Sequence, residues 1–408
     1  MDPRALKLAI RIINQSNREH PADSVLRSEL KAQENLPRDM GRIVSRTVFS
    51  YYRWLGWLDQ KNQRLADQIV KAVELADSYA QDPNSFTDDE LMARAVPAWL
   101  ADQLEVTPQL VRAMQAEPVL WLRAKRGLGR AVAAKLGHCE IAGEGILADA
   151  LRYHGLEDLY RTAPFQAGEF ELQNIHSQAV VWLCNPRRGE VWWDACAGEG
   201  GKLLHLSDLM RNKGLIWATD RLSARLKRLK HRAARAKVFN YRAAYWDGGA
   251  KLPPELPLET KFDGVLLDAP CTNIGTWQRN PHARWTVTPE AVQDLANLQR
   301  RYLFNVAPMV KPGGKLVYAV CTLTRSETAE VVAAFQAQFP DFKPLPVPDP
   351  FGVIPEPSAQ FRFQPYERGG NGMFVALWQR DKPEPPPGTP PPAAGASAPA
   401  AGGTTPAA

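Results

Sequence analysis

Asp194-Ala-Cys-Ala-Gly-Glu-Gly-Gly-Lys202 is the stretch on which the fold turns. It follows a short apolar run, Glu190 to Asp194, and leads into a segment that reads as a helix, so a strand hands over to a helix through a glycine-rich turn. Gly198, Gly200 and Gly201 carry no side chain to hold a ligand away from the backbone. Such a turn is a weak signal alone, because any tight strand-to-helix connection favours glycine. The spacing of a triphosphate-binding P-loop is absent, and Lys202 is better placed to meet a carboxylate than a phosphate chain.

Working outward, apolar runs at Leu215 to Asp220, Phe262 to Asp268 and Lys315 to Cys321 alternate with amphipathic segments. This alternation predicts βαβ units and a mostly parallel, Rossmann-like α/β sheet. Asp220 closes the next strand about 20 residues past the glycines, where a carboxylate can accept hydrogen bonds from both ribose hydroxyls. After it, Leu222, Leu226 and Leu229 form a core-facing stripe on a helix that carries Arg221, Arg225, Lys227, Arg228, Lys230, Arg232, Arg235 and Lys237. Those cations suit either a solvated outer helix or a phosphate backbone. Asp268-Ala-Pro-Cys271 and Cys321-Thr322 each end a predicted strand, which points two thiols into one crevice at the carboxyl edge of the sheet. A thiolate attacks a pyrimidine well and leaves readily, whereas a lone cysteine is more often an inert buried thiol.

Upstream, the first ~110 residues read as helical, with Leu6, Ile10 and Ile13 at spacings of three and four. Between Gly41 and Leu58, Val44, Val48, Tyr51 and Leu55 share one stripe and leave Arg42, Arg46 and Arg53 for solvent or for RNA. The division expected is a helical domain over 1–117, a small mixed linker subdomain over 118–188, the α/β domain over 189–380 and a Pro/Ala-rich disordered tail over 381–408.

The chain has 408 residues with 45% apolar and 23% charged content, a formal charge of +6 and a pI near 9.0, which suits a globular protein with a polyanionic partner. Its five cysteines are scattered and odd in number, so neither a disulfide framework nor a metal site is expected. Without a span-length apolar run, the reading is a cytoplasmic protein, monomeric and off the membrane.

Taken together, Phe170-Glu-Leu-Gln-Asn-Ile-His-Ser-Gln178, the glycine loop, Asp220 with Arg225, Asp268-Ala-Pro-Cys271, Gly275-Thr-Trp-Gln-Arg-Asn-Pro-His-Ala-Arg-Trp285, Tyr318-Ala-Val-Cys-Thr322 and Gly372-Met-Phe-Val-Ala376 resemble the RNA cytosine-5 methyltransferase family. That family includes bacterial small-subunit ribosomal RNA enzymes and the Nol/Sun proteins. The resemblance implies a Rossmann-like class I methyltransferase sheet behind a helical, NusB-like RNA-binding domain. It further implies S-adenosylmethionine as cofactor and RNA, ribosomal by preference, as partner. By the same resemblance Ala197, Gly198, Glu199, Gly200, Gly201 and Lys202 hold the methionine end, Asp220 and Arg225 the ribose side, Asp247 the adenine and Asp268 the reacting edge, where it also meets cytosine N3. Cys321 is then the nucleophile toward C6, and Cys271 assists release.

Glu199 stands where the family carries proline, and the cysteines are followed by Thr272-Asn273 and by Thr322. An acid beside a cofactor carboxylate works against binding, so an RNA-binding assembly factor with a degenerate methyltransferase fold is the alternative. Pro270-Cys271 alone also resembles DNA cytosine-5 methyltransferases, against which the second cysteine argues. Deleting the helical region up to Pro118 is expected to weaken RNA binding and to spare cofactor binding.

Overall fold

The computed structural model describes residues 1–33, 37, 39–257, 259–347, 351 and 358–382. Helices come first: α1 (Pro3–Gln15), α2 (Ala22–Lys31), α3 (Met40–Arg53), α4 (Leu65–Gln81), α5 (Asp88–Arg94) and α6 (Pro108–Gln115). In α1 the Asp2 carboxylate caps the Arg4 amide, and Pro3 occupies the first turn, where no N–H partner is needed. The buried face is Ala5, Leu8, Ala9, Ile12 and Ile13, so Leu6 and Ile10 of the expected stripe sit on its border. On α3, Val44 and Val48 are fully buried as the pattern predicts. Its arginines depart from expectation. Arg53 is 3% exposed and donates to the Gln278 carbonyl at 3.0 Å, while Arg46 is held by Asp77 and Glu117.

A small antiparallel sheet follows, built from β1 (Leu120–Ala124), β2 (Cys139–Ile141), β3 (Ala150–Tyr153) and β4 (Phe170–Leu172) in the order β2-β3-β1-β4. It packs α7 (Gly129–Leu136) and α8 (Ala163–Gln166) over its own core of Leu122, Val132, Leu151 and Phe170.

The main sheet contains β5 (Val191–Asp194), β6 (Leu215–Asp220), β7 (Tyr241–Tyr245), β8 (Phe262–Asp268), β9 (Val310–Val320), β10 (Phe342–Pro344), β11 (Gln360–Phe363) and β12 (Met373–Arg380). Their order is β10-β12-β9-β8-β5-β6-β7, with β11 on β12. Strands β5 to β9 are parallel and β12 is antiparallel to β9. The layers around the sheet are α9 (Ile175–Cys184), α10 (Gly201–Leu209), α11 (Ser223–Arg235), α12 (Ala283–Thr286), α13 (Pro289–Val306) and α14 (Ala329–Gln338). Val265, Leu266 and Leu267 are fully buried in succession, as a strand covered on both faces requires. Leu222 departs from its expected core position: it is 45% exposed because α11 starts only at Ser223, and Leu226, Leu229 and Ala233 face inward. Strand order reverses at β5, between β6 and β8, which opens a crevice above the carboxyl ends of those strands.

His176 of α9 ties this layer to the carboxyl-terminal strands. Its ring stacks on Phe363 at 4.9 Å, and its Nδ1–H donates to the Asn371 carbonyl at 2.6 Å. Burial lowers its pKa to about 4. The unfolded chain, with an ordinary histidine near pH 6.5, binds the extra proton first, so stability falls as pH drops from about 6.5 to 4 and then levels. Urea unfolding across that range should show the loss, and His176→Gln should flatten it; an unchanged slope would remove His176 as its source.

The disordered-tail expectation lies, from residue 383 onward, outside the described residues. Among the described residues no helix is long and apolar enough to cross a membrane.

Candidate active site

The glycine turn folds back on β6. Ala197 donates its amide to the Thr219 carbonyl at 2.8 Å, and Gly198 donates to the Asp220 carboxylate at 3.0 Å. A second Asp220 oxygen takes the Leu222 amide at 2.8 Å, which pins the carboxylate, 4% exposed, at the mouth of the crevice. Gly200 has φ +87, and a Cβ there would come within 2.9 Å of Leu229 Cγ, so both its backbone and its lack of side chain are required.

A cavity of about 530 Å³ lies above the strand ends. Ala197, Gly198, Glu199, Gly201, Lys202, Asp220, Arg225, Asp268, Cys271 and Cys321 all line it, as their sequence assignment anticipates. Gly200 shapes the turn from behind and does not line it, and Asp247 does not line it either. The Asp247 carboxylate is turned out to cap the Gly249 amide at 2.8 Å, and the neighbouring Trp246 fills the wall with Tyr302. Glu199, at the cavity lining, pairs its carboxylate with Arg228 at 2.7 Å, while Arg232 donates to its carbonyl at 3.1 Å. The basic helix thus neutralises the acid that replaces proline.

Lys202 Nζ meets Asp268 Oδ2 at 2.5 Å. Burial opposes the lysine charge, yet Asp268 outweighs it and raises the Lys202 pKa. Deeper in, burial and then the Asp268 charge push Asp194 up to about 8, so it carries a proton at neutral pH.

The two cysteines stand side by side. Cys271 Sγ and Cys321 Sγ are 3.4 Å apart, and Cys321 Sγ donates to Asn273 Oδ1 at 2.9 Å. The hydrogen bond with Cys321, followed by burial, lifts the Cys271 pKa well above the usual thiol range. Asn273 was visible only as a departure in the motif. In the fold its φ of +60 turns the side chain onto both sulfurs, a conformation that asparagine tolerates. Ser177, Cys196 and Trp246 also line the cavity without having been singled out; only their proximity to recognised motifs marks them in the sequence.

The loop between β8 and α13 is rooted in the helical domain. Ile274, Trp277 and Leu323 belong to the same apolar cluster as α1, α3 and α6, and the Gly275 amide reaches the Cys321 carbonyl at 3.0 Å. A Cβ on Gly275 would overlap the Gly372 carbonyl oxygen at 1.9 Å, which accounts for glycine at both motif ends. Arg284, fully buried, donates to Ala95 O, Gln115 Oε1 and Met114 O at 2.7–2.9 Å, and Trp285 Nε1 donates to Tyr52 O at 2.7 Å. The helical domain therefore supports this loop from behind, while no described residue of 1–117 lines the cavity itself.

A doubly wound sheet with a glycine cradle, a pinned strand-end acid and a carboxyl-edge cavity defines a Rossmann-like methyltransferase fold. Residues 181–379 match the family model described as 16S rRNA methyltransferase RsmB/F. A Bacillus subtilis relative, a probable ribosomal RNA small subunit methyltransferase B, is 38% identical over 180 residues, which is 44% of this chain and 40% of the relative. Two further relatives of that kind, from Synechocystis and Pasteurella multocida, are spanned over 52% and 64% of their own lengths. In fold, the crystal structure of PH0851 superposes with a TM-score of 0.76 at 22% identity, covering 93% of this chain and 99% of that one. NSun6 from Pyrococcus horikoshii with SFG gives 0.59 at 20% identity, covering 67% and 94%.

Proposed function

We propose that the chain is an S-adenosylmethionine-dependent RNA (cytosine-C5) methyltransferase acting on small-subunit ribosomal RNA, its NusB-like helices flanking the RNA. The observation that carries this reading is the pair of sulfurs 3.4 Å apart on neighbouring strand ends, opening into the cavity that the glycine turn borders. Two adjacent thiols suit a reaction in which one bonds to the substrate and the other manages its release.

The residues present fit the cofactor. Backbone left bare at Gly198 and Gly201 and the carboxylate of Asp220 suit its amino-acid end and ribose, and Glu199 is removed from competition by Arg228. When bound, the cofactor supplies an electrophilic methyl group on a sulfonium. Cys321 attacks C6 of cytosine as thiolate, which makes C5 nucleophilic. The Lys202–Asp268 pair meets N3, where the ammonium stabilises the negative charge that addition places on the ring. Cys271, whose sulfur lies 3.4 Å from that of Cys321, releases its own proton to solvent through the open cavity and as thiolate takes the C5 proton. Elimination then reforms the pyrimidine and expels the Cys321 thiolate.

Bisulfite sequencing of ribosomal RNA from cells with and without the gene tests the reading: a protected cytosine should vanish with the gene, and identical maps would refute it. Asp220→Ala should weaken adenosylmethionine binding by roughly 1.5–3 kcal/mol, the value of a hydrogen bond to a charged group. Titration calorimetry measures it, and an unchanged Kd would take Asp220 out of the site.

A further inference from the structure

Beneath the two cysteines lies a carboxylate that the reaction above does not use. Glu327, fully buried in the turn after β9, accepts at one oxygen from the hydroxyls of Thr272, Thr322 and Thr324 at 2.5, 3.0 and 2.9 Å. Its other oxygen accepts from the Thr272 amide at 2.9 Å and from Gln299 Nε2 at 3.0 Å. Gln299 also donates to the Pro270 carbonyl at 2.9 Å, and the Tyr318 hydroxyl lies 2.8 Å from the Glu327 carbonyl. Thr272 and Thr322 are the residues immediately after Cys271 and Cys321, so one side chain ties together both turns that carry a sulfur. This explains why a hydroxyl follows each cysteine.

Burying a carboxylate costs several kcal/mol unless a cation or many donors offset it. Among the described residues Glu327 forms no ion pair, so its burial rests on five donors, two of them hydroxyls and one an amide from the turns that carry the sulfurs. The hydrogen bond with Cys321 and burial raise the Cys271 pKa first and Glu327 adds to them, as it adds to burial in raising Tyr318. Cys321 lies on the other side of the pair, within electrostatic reach of Lys202, which Asp268 holds. Arg300 on α13 acts on Tyr318 from further out.

Resting on the reaction proposed above, we propose that Glu327 is the positioning residue of the cysteine pair: through Thr272 and Thr322 it sets the spacing of the two sulfurs and presents Cys321, rather than the more buried Cys271, to the substrate. It touches neither substrate nor cofactor and acts through the threonines and its field.

The test uses Glu327→Gln, whose amide can donate to hydroxyls that are free to rotate, and Glu327→Asp, which restores the charge. Iodoacetamide labelling of the full chain between pH 6 and 10, with each cysteine peptide followed by mass spectrometry, reads the two thiols separately. In the native protein Cys321 should label first. In Glu327→Gln the midpoint for Cys271 should fall by about one pH unit and the preference for Cys321 should shrink about tenfold. The Kd for adenosylmethionine should stay unchanged while kcat on a small-subunit ribosomal RNA transcript drops about tenfold. Glu327→Asp should recover much of the preference, which a loss of packing alone would not permit. Equal labelling profiles in native and Glu327→Gln protein would overturn the proposal. If the labelling shifts as stated but no RNA is methylated by any form, the function fails and the role of Glu327 over the thiols stands.

Discussion

Cys321→Ala should abolish both methyl transfer and any covalent protein–RNA adduct, because the remaining thiols lining the cavity, Cys271 and Cys196, are both pushed well above the usual thiol range and stay protonated. Cys271→Ala should behave in the opposite way on a denaturing gel. With Cys321 intact the adduct forms and accepts its methyl group, but the C5 proton has lost its acceptor, and the protein stays attached to methylated RNA. A slow, RNase-sensitive band is expected for Cys271→Ala and none for Cys321→Ala or the double variant. Loss of one essential step should reduce turnover by at least about a thousandfold for either single change, a magnitude in keeping with removal of a residue that acts as part of a unit. Trapping by the Cys321 variant instead would exchange the roles and move the chemistry toward the DNA-enzyme type. Full activity in both variants would end the covalent scheme.

The second large effect concerns a residue that touches no reacting atom. Arg284→Leu should destabilise the protein by about 3 kcal/mol, since it leaves the carbonyls of Ala95 and Met114 and the Gln115 amide oxygen buried without a donor. Arg284 is fully buried and has Arg53 beside it; burial, aided by that neighbour, lowers its pKa to about 9, so it remains charged at neutral pH. Its loss should also displace Trp277 and Ile274, and with them Asn273, the hydrogen-bond partner of Cys321. Activity should therefore fall at temperatures where the protein is still folded. Thermal unfolding and single-turnover methyl transfer measure the two effects; a melting temperature within a degree or so of native would show that the joint does not depend on this arginine. Deletion of residues 1–117 should be more severe. It strips the apolar cover from Ile274, Trp277 and Leu323, so the remainder should bind adenosylmethionine poorly or fail to fold. Tight cofactor binding by the truncated chain would contradict the shared core.

Local pattern was enough for the α/β architecture and for most of the site. Strands β6 and β8 end where the apolar runs do, because a strand buried on both faces reads as an unbroken run bounded by polar residues. Strand β9 begins at Val310, earlier than the run at Lys315 suggests, since Val310 pairs with Phe262 and the pairing resumes at Lys315 with Gly264, which leaves Pro312-Gly-Gly314 in an irregularity between them. Asp220, Lys202, Asp268 and both cysteines were legible because each closes a strand or opens a helix at the carboxyl edge, a place set by topology.

What the sequence by itself determined was thus the order of strands and turns and the chemistry at their ends. Tertiary structure alone decided the pairings between distant segments. Arg53 looks like a surface cation on a helix wheel, but its partner is a carbonyl 225 residues away. Glu199 looks like a threat to the cofactor until Arg228, 29 residues on, takes its charge. Asp247 stands outside the cavity lining, with one carboxylate oxygen on the Gly249 amide, a placement that the motif does not reveal. Glu327 carries no local signature, for its role consists of hydroxyls brought from two strand ends by the sheet. Periodicity records which face of an element is buried; it holds no information on what buries it, and in this protein the helical domain and the catalytic loop bury each other.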